Sequence, residues 1–289
     1  MPNFVYHTTD VFTGRRFSGN PLAVFPDARG LDTATMQALA AELNYSETTF
    51  VLPPDDPAHT ARVRIFNRTA EMPFAGHPNV GTACVLARLG LARGPVLLFE
   101  EIAGLVEVRL TGADAAEIDA PQPLQVKGEL PVDAIAACLS LVPAQISTRD
   151  HKPIEATVGI DFVFAAVEPE ALAQANPDLG AFRRLADSSG LTDRLSIFLY
   201  ARDGADIRAR MFAPLSGTWE DPATGSANAT LAALLLSLSQ DESLSYRAVQ
   251  GVEMGRRSEL WLRAWRTADG VRASVGGQCV PVFTGTVSL

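Results

Sequence analysis

Four side chains in this 289-residue sequence have the types and settings for acid/base chemistry on a small anion: Glu47, His77, Asp221 and Ser226. Glu47 lies in Asn44-Tyr45-Ser46-Glu47-Thr48-Thr49-Phe50, at the entry to an otherwise apolar strand pattern. A carboxyl there is either an exposed strand-end charge or a half-buried group whose pKa desolvation lifts toward that of a neutral-pH proton carrier. His77 follows Gly76 and precedes Pro78, in the first turn of a helix. Proline suits that turn, because the N–H it lacks would have no intrahelical partner. The positive end of the helix disfavours imidazolium, so a neutral imidazole is expected, bonding either local backbone or a ligand. Asp221 comes just before Pro222 at the approach to a second helix start, where a carboxylate also serves as a cap. Ser226 is the corresponding residue of that second turn, and its hydroxyl can cap the helix or meet a ligand oxygen.

The setting of these residues is a motif used twice. The first copy reads Arg64-Ile65-Phe66, Glu71-Met72-Pro73, then Ala75-Gly76-His77-Pro78-Asn79. The second reads Arg210-Met211-Phe212, Glu220-Asp221-Pro222, then Ala223-Thr224-Gly225-Ser226-Ala227-Asn228. Each glycine turn opens onto an apolar helical stretch, so unpaired N–H groups and the positive helix end point out of each junction. Two such starts facing each other would make an anion pocket, with Gly76 and Gly225 as backbone donors. No phosphate loop, dinucleotide glycine fingerprint or serine elbow accompanies them.

Length and composition place these turns in two domains. A chain of 289 residues exceeds one ordinary small core and suits two domains of roughly 100 to 150 residues. The boundaries read as residues 1–118, a linker at 119–131 carrying three prolines and a glycine, and residues 132–289, with the terminal strand free to cross over. With 47% hydrophobic and 20% charged residues the composition is that of a soluble globular protein, and no stretch is long enough for a membrane span. The start of the sequence enters a strand pattern without an apolar signal segment, so a cytoplasmic location is expected. A net charge of −9 without a basic cluster argues against nucleic acid and anionic membranes as partners, and leaves a small anionic carboxylate open. Cys84, Cys138 and Cys279 are far apart and odd in number, and the four histidines have no metal-ligand spacing, so neither a disulfide framework nor a metal site is expected.

Periodicity supplies the elements. Strand patterns run over 4–12 and 21–25, and Asp32 caps an amphipathic helix to about Asn44 whose apolar face is Met36, Leu39, Ala40 and Leu43. Strands at 47–52 and 61–66, a helix over 77–89 ending before Gly90, and strands at 96–100 and 105–110 complete the first half. The second half offers strands at 162–167, 195–200 and 207–212, with a helix near 179–186 among them. A helix over 227–238, apolar almost all round and therefore central, precedes strands at 244–249, 260–265, 271–275 and 280–287. The fold class is α+β with internal pseudo-symmetry.

At four stretches the chain resembles the PhzF-like family, the phenazine-biosynthesis isomerase group that shares the diaminopimelate-epimerase fold. They are Phe17-Ser18-Gly19-Asn20-Pro21-Leu22-Ala23-Val24-Phe25, Ser46-Glu47-Thr48, Pro73-Phe74-Ala75-Gly76-His77-Pro78 and Glu220-Asp221-Pro222-Ala223-Thr224-Gly225-Ser226-Ala227. The resemblance implies two similar domains, each a curved β-barrel-like sheet around a central helix, with the active site in the cleft between them. It also implies cofactor-free proton transfer, commonly in a homodimer. Carried over by motif, Glu47 is the proton shuttle. Asp221, His77 and Ser226 bind and orient substrate or assist the proton, Gly76 and Gly225 give donors to a carboxylate, and Asn20 joins the substrate-binding set. The epimerase branch of the fold uses a cysteine pair, whereas Ala75 and Pro222 stand at about those places here. Segment 67–72 need not match the phenazine enzyme's substrate loop, so the expected activity is an isomerase acting on a small carboxylic acid of unspecified identity. Two alternatives remain open: a racemase using Glu47 and Asp221 as two bases, and a non-catalytic small-molecule-binding member of the fold.

Overall fold

The computed structural model describes residues 2–191 and 195–289, which form two compact units. The first unit runs to Asp119 and takes in Gly276–Leu289, and the second is Ala120–Val275.

The first unit comprises β1 (Asn3–Val11), β2 (Asn20–Phe25), α1 (Thr33–Leu43), β3 (Glu47–Leu52), β4 (Ala61–Phe66), the short β5 (Glu71–Met72), α2 (Gly76–Arg88), β6 (Val96–Glu101), β7 (Gly104–Gly112) and β8 (Ala115–Asp119). β1 and β2 are antiparallel, β2 and β3 parallel, β3 and β4 antiparallel, β4 and β6 parallel, and β6, β7 and β8 a meander. The last strand of the chain closes the ring: it pairs antiparallel with β1, from Asn3 opposite Ser288 to Val11 opposite Cys279, and it also pairs with β8. The result is a closed eight-stranded barrel, which leaves no open edge.

Inside that barrel lies α2, buried from Gly76 to Leu86 and touching β1, β2, β3, β7 and β8. Gly81 is where the helix comes closest to the wall: a Cβ there would stand 2.5 Å from Leu22 Cδ2 and 2.7 Å from Val11 Cγ2. A buried hydrogen bond of 2.8 Å between the Thr49 and Thr82 hydroxyls fixes the helix to β3. On the outer side α1 packs Met36, Leu39 and Ala40 against Phe25, Phe50 and Phe66, with the Phe25 and Phe50 rings stacked at 4.9 Å. Asp32 caps α1 by accepting from the Thr35 N–H at 2.7 Å, as its position before the apolar face predicts.

The second unit comprises β9 (Gln125–Glu129), α3 (Val132–Cys138), β10 (Ile146–Ser147), β11 (Ile154–Thr157), β12 (Asp161–Val167), α4 (Pro169–Gln174), α5 (Leu179–Ser189), β13 (Ile197–Asp203), β14 (Asp206–Ala213), β15 (Thr218–Asp221), α6 (Gly225–Ser237), β16 (Ser243–Gln250), β17 (Ser258–Thr267) and the start of β18 (Gly270–Ser288). Its pairing repeats the first unit strand for strand. β11 and β12 are antiparallel, β12 and β13 parallel, β13 and β14 antiparallel, β14 and β16 parallel, and β16 and β17 antiparallel. α6 is buried along most of its length against β11, β12, β16 and β17, while α3, α4 and α5 pack outside on a second cluster around Phe182.

Several segments differ from the sequence expectation, among them α3, α4 and β11, for which it offers no element. The proline-bearing stretch 119–131 carries β9, which pairs with β11, because the prolines fall outside the ladder and Gln125–Glu129 keeps all its N–H groups. The strands expected at 271–275 and 280–287 are one 19-residue strand, β18. The glycines Gly276 and Gly277 between them do not break it, since extended backbone is open to glycine, and a Cβ at Gly276 would stand 2.8 Å from the Ala116 carbonyl oxygen. Among the described residues no helix is long and apolar enough to cross a membrane.

Candidate active site

Each unit brings its part of the repeated motif to the start of its central helix. In the first unit Arg64 on β4 meets Glu71 on β5 through two bonds, Nε to Oε1 at 2.7 Å and Nη2 to Oε2 at 2.6 Å, with the guanidinium 5.1 Å from the Phe66 ring centre. In the second, Arg210 on β14 meets Glu220 on β15 at 2.8 Å for both bonds, 4.8 Å from the Phe212 ring centre. The arginine, phenylalanine and glutamate of the motif are therefore a brace. They pin the short strand that leads into each helix.

Beyond the brace the chain turns into the helix. α2 begins at Gly76 and α6 at Gly225, and the N-cap residues Ala75 and Thr224 provide no side-chain cap hydrogen bond. First-turn N–H groups without a cap are the donors that favour an anion. The two N-caps also fix the correspondence of the halves: Ala75 matches Thr224, Gly76 matches Gly225 and His77 matches Ser226, while Pro222 matches Pro73. The helix start thus corrects the expected counterpart of Ala75 from Pro222 to Thr224. Neither N-cap is a cysteine, and all three cysteines are buried.

Glu47 and His77 come together in the first unit. Glu47 opens β3, opposite Leu22 of β2, and its Oε2 lies 3.5 Å from His77 Nε2. The carboxylate side chain is 19% exposed and the imidazole 7%. Burial pushes the His77 pKa down to about 3, so the ring is neutral at physiological pH. Asn20 is fully buried on β2, and its Oδ1 accepts from Ser46 Oγ at 2.9 Å, which ties down the residue before Glu47.

Asp221 lies in the second unit, 8% exposed, and its Oδ2 accepts from Thr224 Oγ1 at 2.5 Å. Gln250, at the end of β16 and fully buried, holds this turn from below. Its Nε2 donates to the Asp221 carbonyl at 2.8 Å, and its Oε1 accepts from the Thr224 N–H at 3.1 Å and from Asn228 Nδ2 at 2.9 Å. Ser258 Oγ adds a bond of 2.8 Å to the Pro222 carbonyl. Gly251 has a φ of +75°, and a Cβ on it would stand 2.6 Å from the Pro222 carbonyl oxygen. Ser226 is half-buried in the first turn of α6. Gln250 and Ser258 escape a motif reading because they lie on strands further along the chain. One signal was available for Gln250: it stands as far after Gly225 as Glu101 stands after Gly76.

Over residues 9–285 the sequence matches the family described as Phenazine biosynthesis-like protein. The chain belongs to that family. It is 35% identical to the trans-2,3-dihydro-3-hydroxyanthranilate isomerase of Pseudomonas chlororaphis, over 98% of this chain and 99% of the relative. An isomerase of Mesorhizobium japonicum is 39% identical over 98% of each chain. The crystal structure of a PhzF-family phenazine biosynthesis protein from Bacillus anthracis superposes with a TM-score of 0.90, covering 100% of both chains at 22% identity, a likeness of fold. This PhzF-type protein is an isomerase, on a fold shared through the epimerase-like neighbours. Among the described residues no group of three or more His, Cys, Asp or Glu side chains is placed to hold a metal.

Proposed function

We propose that this family member moves a proton within a small unsaturated or amino-bearing carboxylic acid, without a cofactor, with Glu47 as general base and then general acid. The observation that carries the reading is the Glu47–His77 pair, a carboxylate and a neutral imidazole 3.5 Å apart at the start of a buried, uncapped helix. A neutral imidazole donates or accepts a hydrogen bond without the charge that would hold Glu47 as a weak base. Glu47 takes a proton from one carbon, the electron pair of that C–H bond shifts the double bond along the molecule, and the same carboxyl returns the proton to another carbon. The first-turn N–H groups at Gly76 hold the substrate carboxylate, and His77 orients it. Asp221 orders its own turn in the second unit, where its carboxylate accepts the Thr224 hydroxyl at 2.5 Å. Asn20 positions Ser46 and hence Glu47. Action inside the cytoplasm as a homodimer belongs to the same reading.

The first substrate to try is the one named for the Pseudomonas relatives, trans-2,3-dihydro-3-hydroxyanthranilate, followed by a panel of small unsaturated and amino acids. In deuterated water the wild type should give product with solvent label or with internal return of the original hydrogen. Glu47→Gln should lose on the order of 10²–10⁴-fold in kcat. Turnover by Glu47→Gln at the wild-type rate would remove Glu47 from the mechanism.

A further inference from the structure

The repeat places an acid where its other copy has an amide. In the β4 and β6 pair Arg62 stands opposite Glu100, and in the β14 and β16 pair Arg208 stands opposite Val249. Arg64 and Arg210 are the matching brace residues, so Arg62 matches Arg208, Glu100 matches Val249, and the next residues, Glu101 and Gln250, match each other. Gln250 accepts from Asn228, the fourth residue of α6. The fourth residue of α2 is Asn79, whose Nδ2 donates to the Ala75 carbonyl at 3.1 Å as Asn228 Nδ2 donates to the Thr224 carbonyl at 3.0 Å. Both carboxyl oxygens of Glu101 and the Oδ1 of Asn79 are buried without a hydrogen bond.

Two carboxylate oxygens and an amide oxygen are all acceptors, and the Asn79 amide N–H that lies against the Glu101 carboxyl leaves these buried groups still short of a donor. A single proton on Glu101 supplies it. A neutral acid then offers one C=O and one O–H, the same complement of acceptor and donor that the Gln250 amide offers in the other unit. We propose that Glu101 is held as a neutral carboxylic acid that pairs with Asn79 and fixes the start of α2, with Gly76 and His77 on it, as the first-unit counterpart of Gln250. Glu101 is a positioning residue and touches no reacting atom.

The energetics agree. Burial lifts the Glu101 pKa from 4.5 to about 8, and the Asn79 amide opposes this to a lesser degree. The ionisable groups on the surrounding elements are His77, Cys84 and Arg88 on α2, Glu71 on β5, Arg62 and Arg64 on β4, Glu107 and Arg109 on β7, and the adjacent Glu100. His77 is neutral, Arg62 is paired with Asp55, Arg64 with Glu71, Arg88 with Asp114, Arg109 with Glu117 and Asp119, and Glu100 accepts from the N–H groups of Asp55 and Asp56, so none of these supplies Glu101 with a cation. In the window between 4.5 and about 8 the folded protein holds a proton that the unfolded chain has released. Stability therefore falls as pH rises through that window.

The test is thermal stability against pH for the wild type, Glu101→Gln and Gln250→Glu, none of which needs a substrate and none of which depends on the proton-transfer reading. The wild-type Tm should fall relative to Glu101→Gln from pH 4.5 to about 8 and run parallel to it above, and Gln250→Glu should gain a second fall of the same sign. Infrared spectra of the wild type should show a protonated carboxyl band at pH 7 that fades above pH 8. Parallel Tm curves for wild type and Glu101→Gln, or no such band at pH 7, would overturn the proposal.

Discussion

The neutral His77 ring and the Glu47 carboxyl lie 3.5 Å apart, Nε2 to Oε2, with both side chains largely withdrawn from solvent. The state of His77 follows from burial alone, since desolvation is the one influence that lowers it. The stability consequence has a definite sign. With the folded pKa near 3 and an ordinary value of 6.5, the unfolded chain binds more protons between those limits. Stability is then fully present above pH 6.5 and is lost as pH falls toward 3. His77→Gln removes the titrating group and keeps an amide donor. Its Tm should therefore decline less than that of the wild type over the same range, and equal declines would show that His77 is not what titrates. The neutral ring was legible from its place in a helix first turn, whereas its partner was not. Glu47 and His77 lie on different elements, and only the pairing of β2 with β3 around α2 brings them together.

At the scale of elements, the repeated arginine, phenylalanine and glutamate show how a motif can be legible while its job is not. Their recurrence was visible in the sequence, but the bidentate bonds required knowing that β5 folds back on β4 and β15 on β14. The two braces differ in burial, and the difference carries a prediction. Arg210 and Glu220 have side chains 8% and 10% exposed, and Arg210 also donates to the Leu172 and Ala175 carbonyls at 3.0 and 2.8 Å. Arg64 and Glu71 are 22% and 21% exposed. Removing one member of a buried, fully bonded pair strands the other charge and costs about 3–5 kcal/mol. A pair nearer solvent is rehydrated when broken and costs about 1 kcal/mol or less. Urea unfolding should thus find Glu220→Ala well below Glu71→Ala in stability, and comparable losses would mean that the second brace is not desolvated as its exposure implies. Helices and single strands were read well for a physical reason: Asp32 caps α1, Gly90 with a φ of +72° follows α2, and the period of apolar residues is local. β9 leaves no pattern to read because Gln125–Glu129 is exposed throughout and carries no alternation.

The whole molecule depends on a feature with no local signature, the closure of the first barrel by residues from the far end of the sequence. From Cys279 to Ser288 β18 pairs with β1 along the whole of β1, with His7 opposite Thr284 and Asp10 opposite Val280, and it also pairs with β8, next to which the Cys279 N–H donates to the Asp114 carbonyl at 2.8 Å. Thr9 Oγ1 adds a bond of 3.0 Å to the Val280 carbonyl, and the Phe283 N–H donates to Thr8 Oγ1 at 2.9 Å. Strand character in residues 271–287 was readable from their apolar and β-branched content, but not which strands they would join, because pairing partners more than 250 positions away leave no trace in a local pattern. Ending the chain after Val275 would leave β1 and β8 as bare edges and uncover one side of α2, including Cys84 and Val80 beside Cys279. Unpaired edges next to exposed apolar surface associate. The truncated protein should therefore bind a hydrophobic dye, elute as large aggregates and show no cooperative thermal transition for the first unit. If it stayed monodisperse with the full-length Tm, the last strand would be an ornament on a sheet already complete, and the reading of the first unit as a closed barrel would fail.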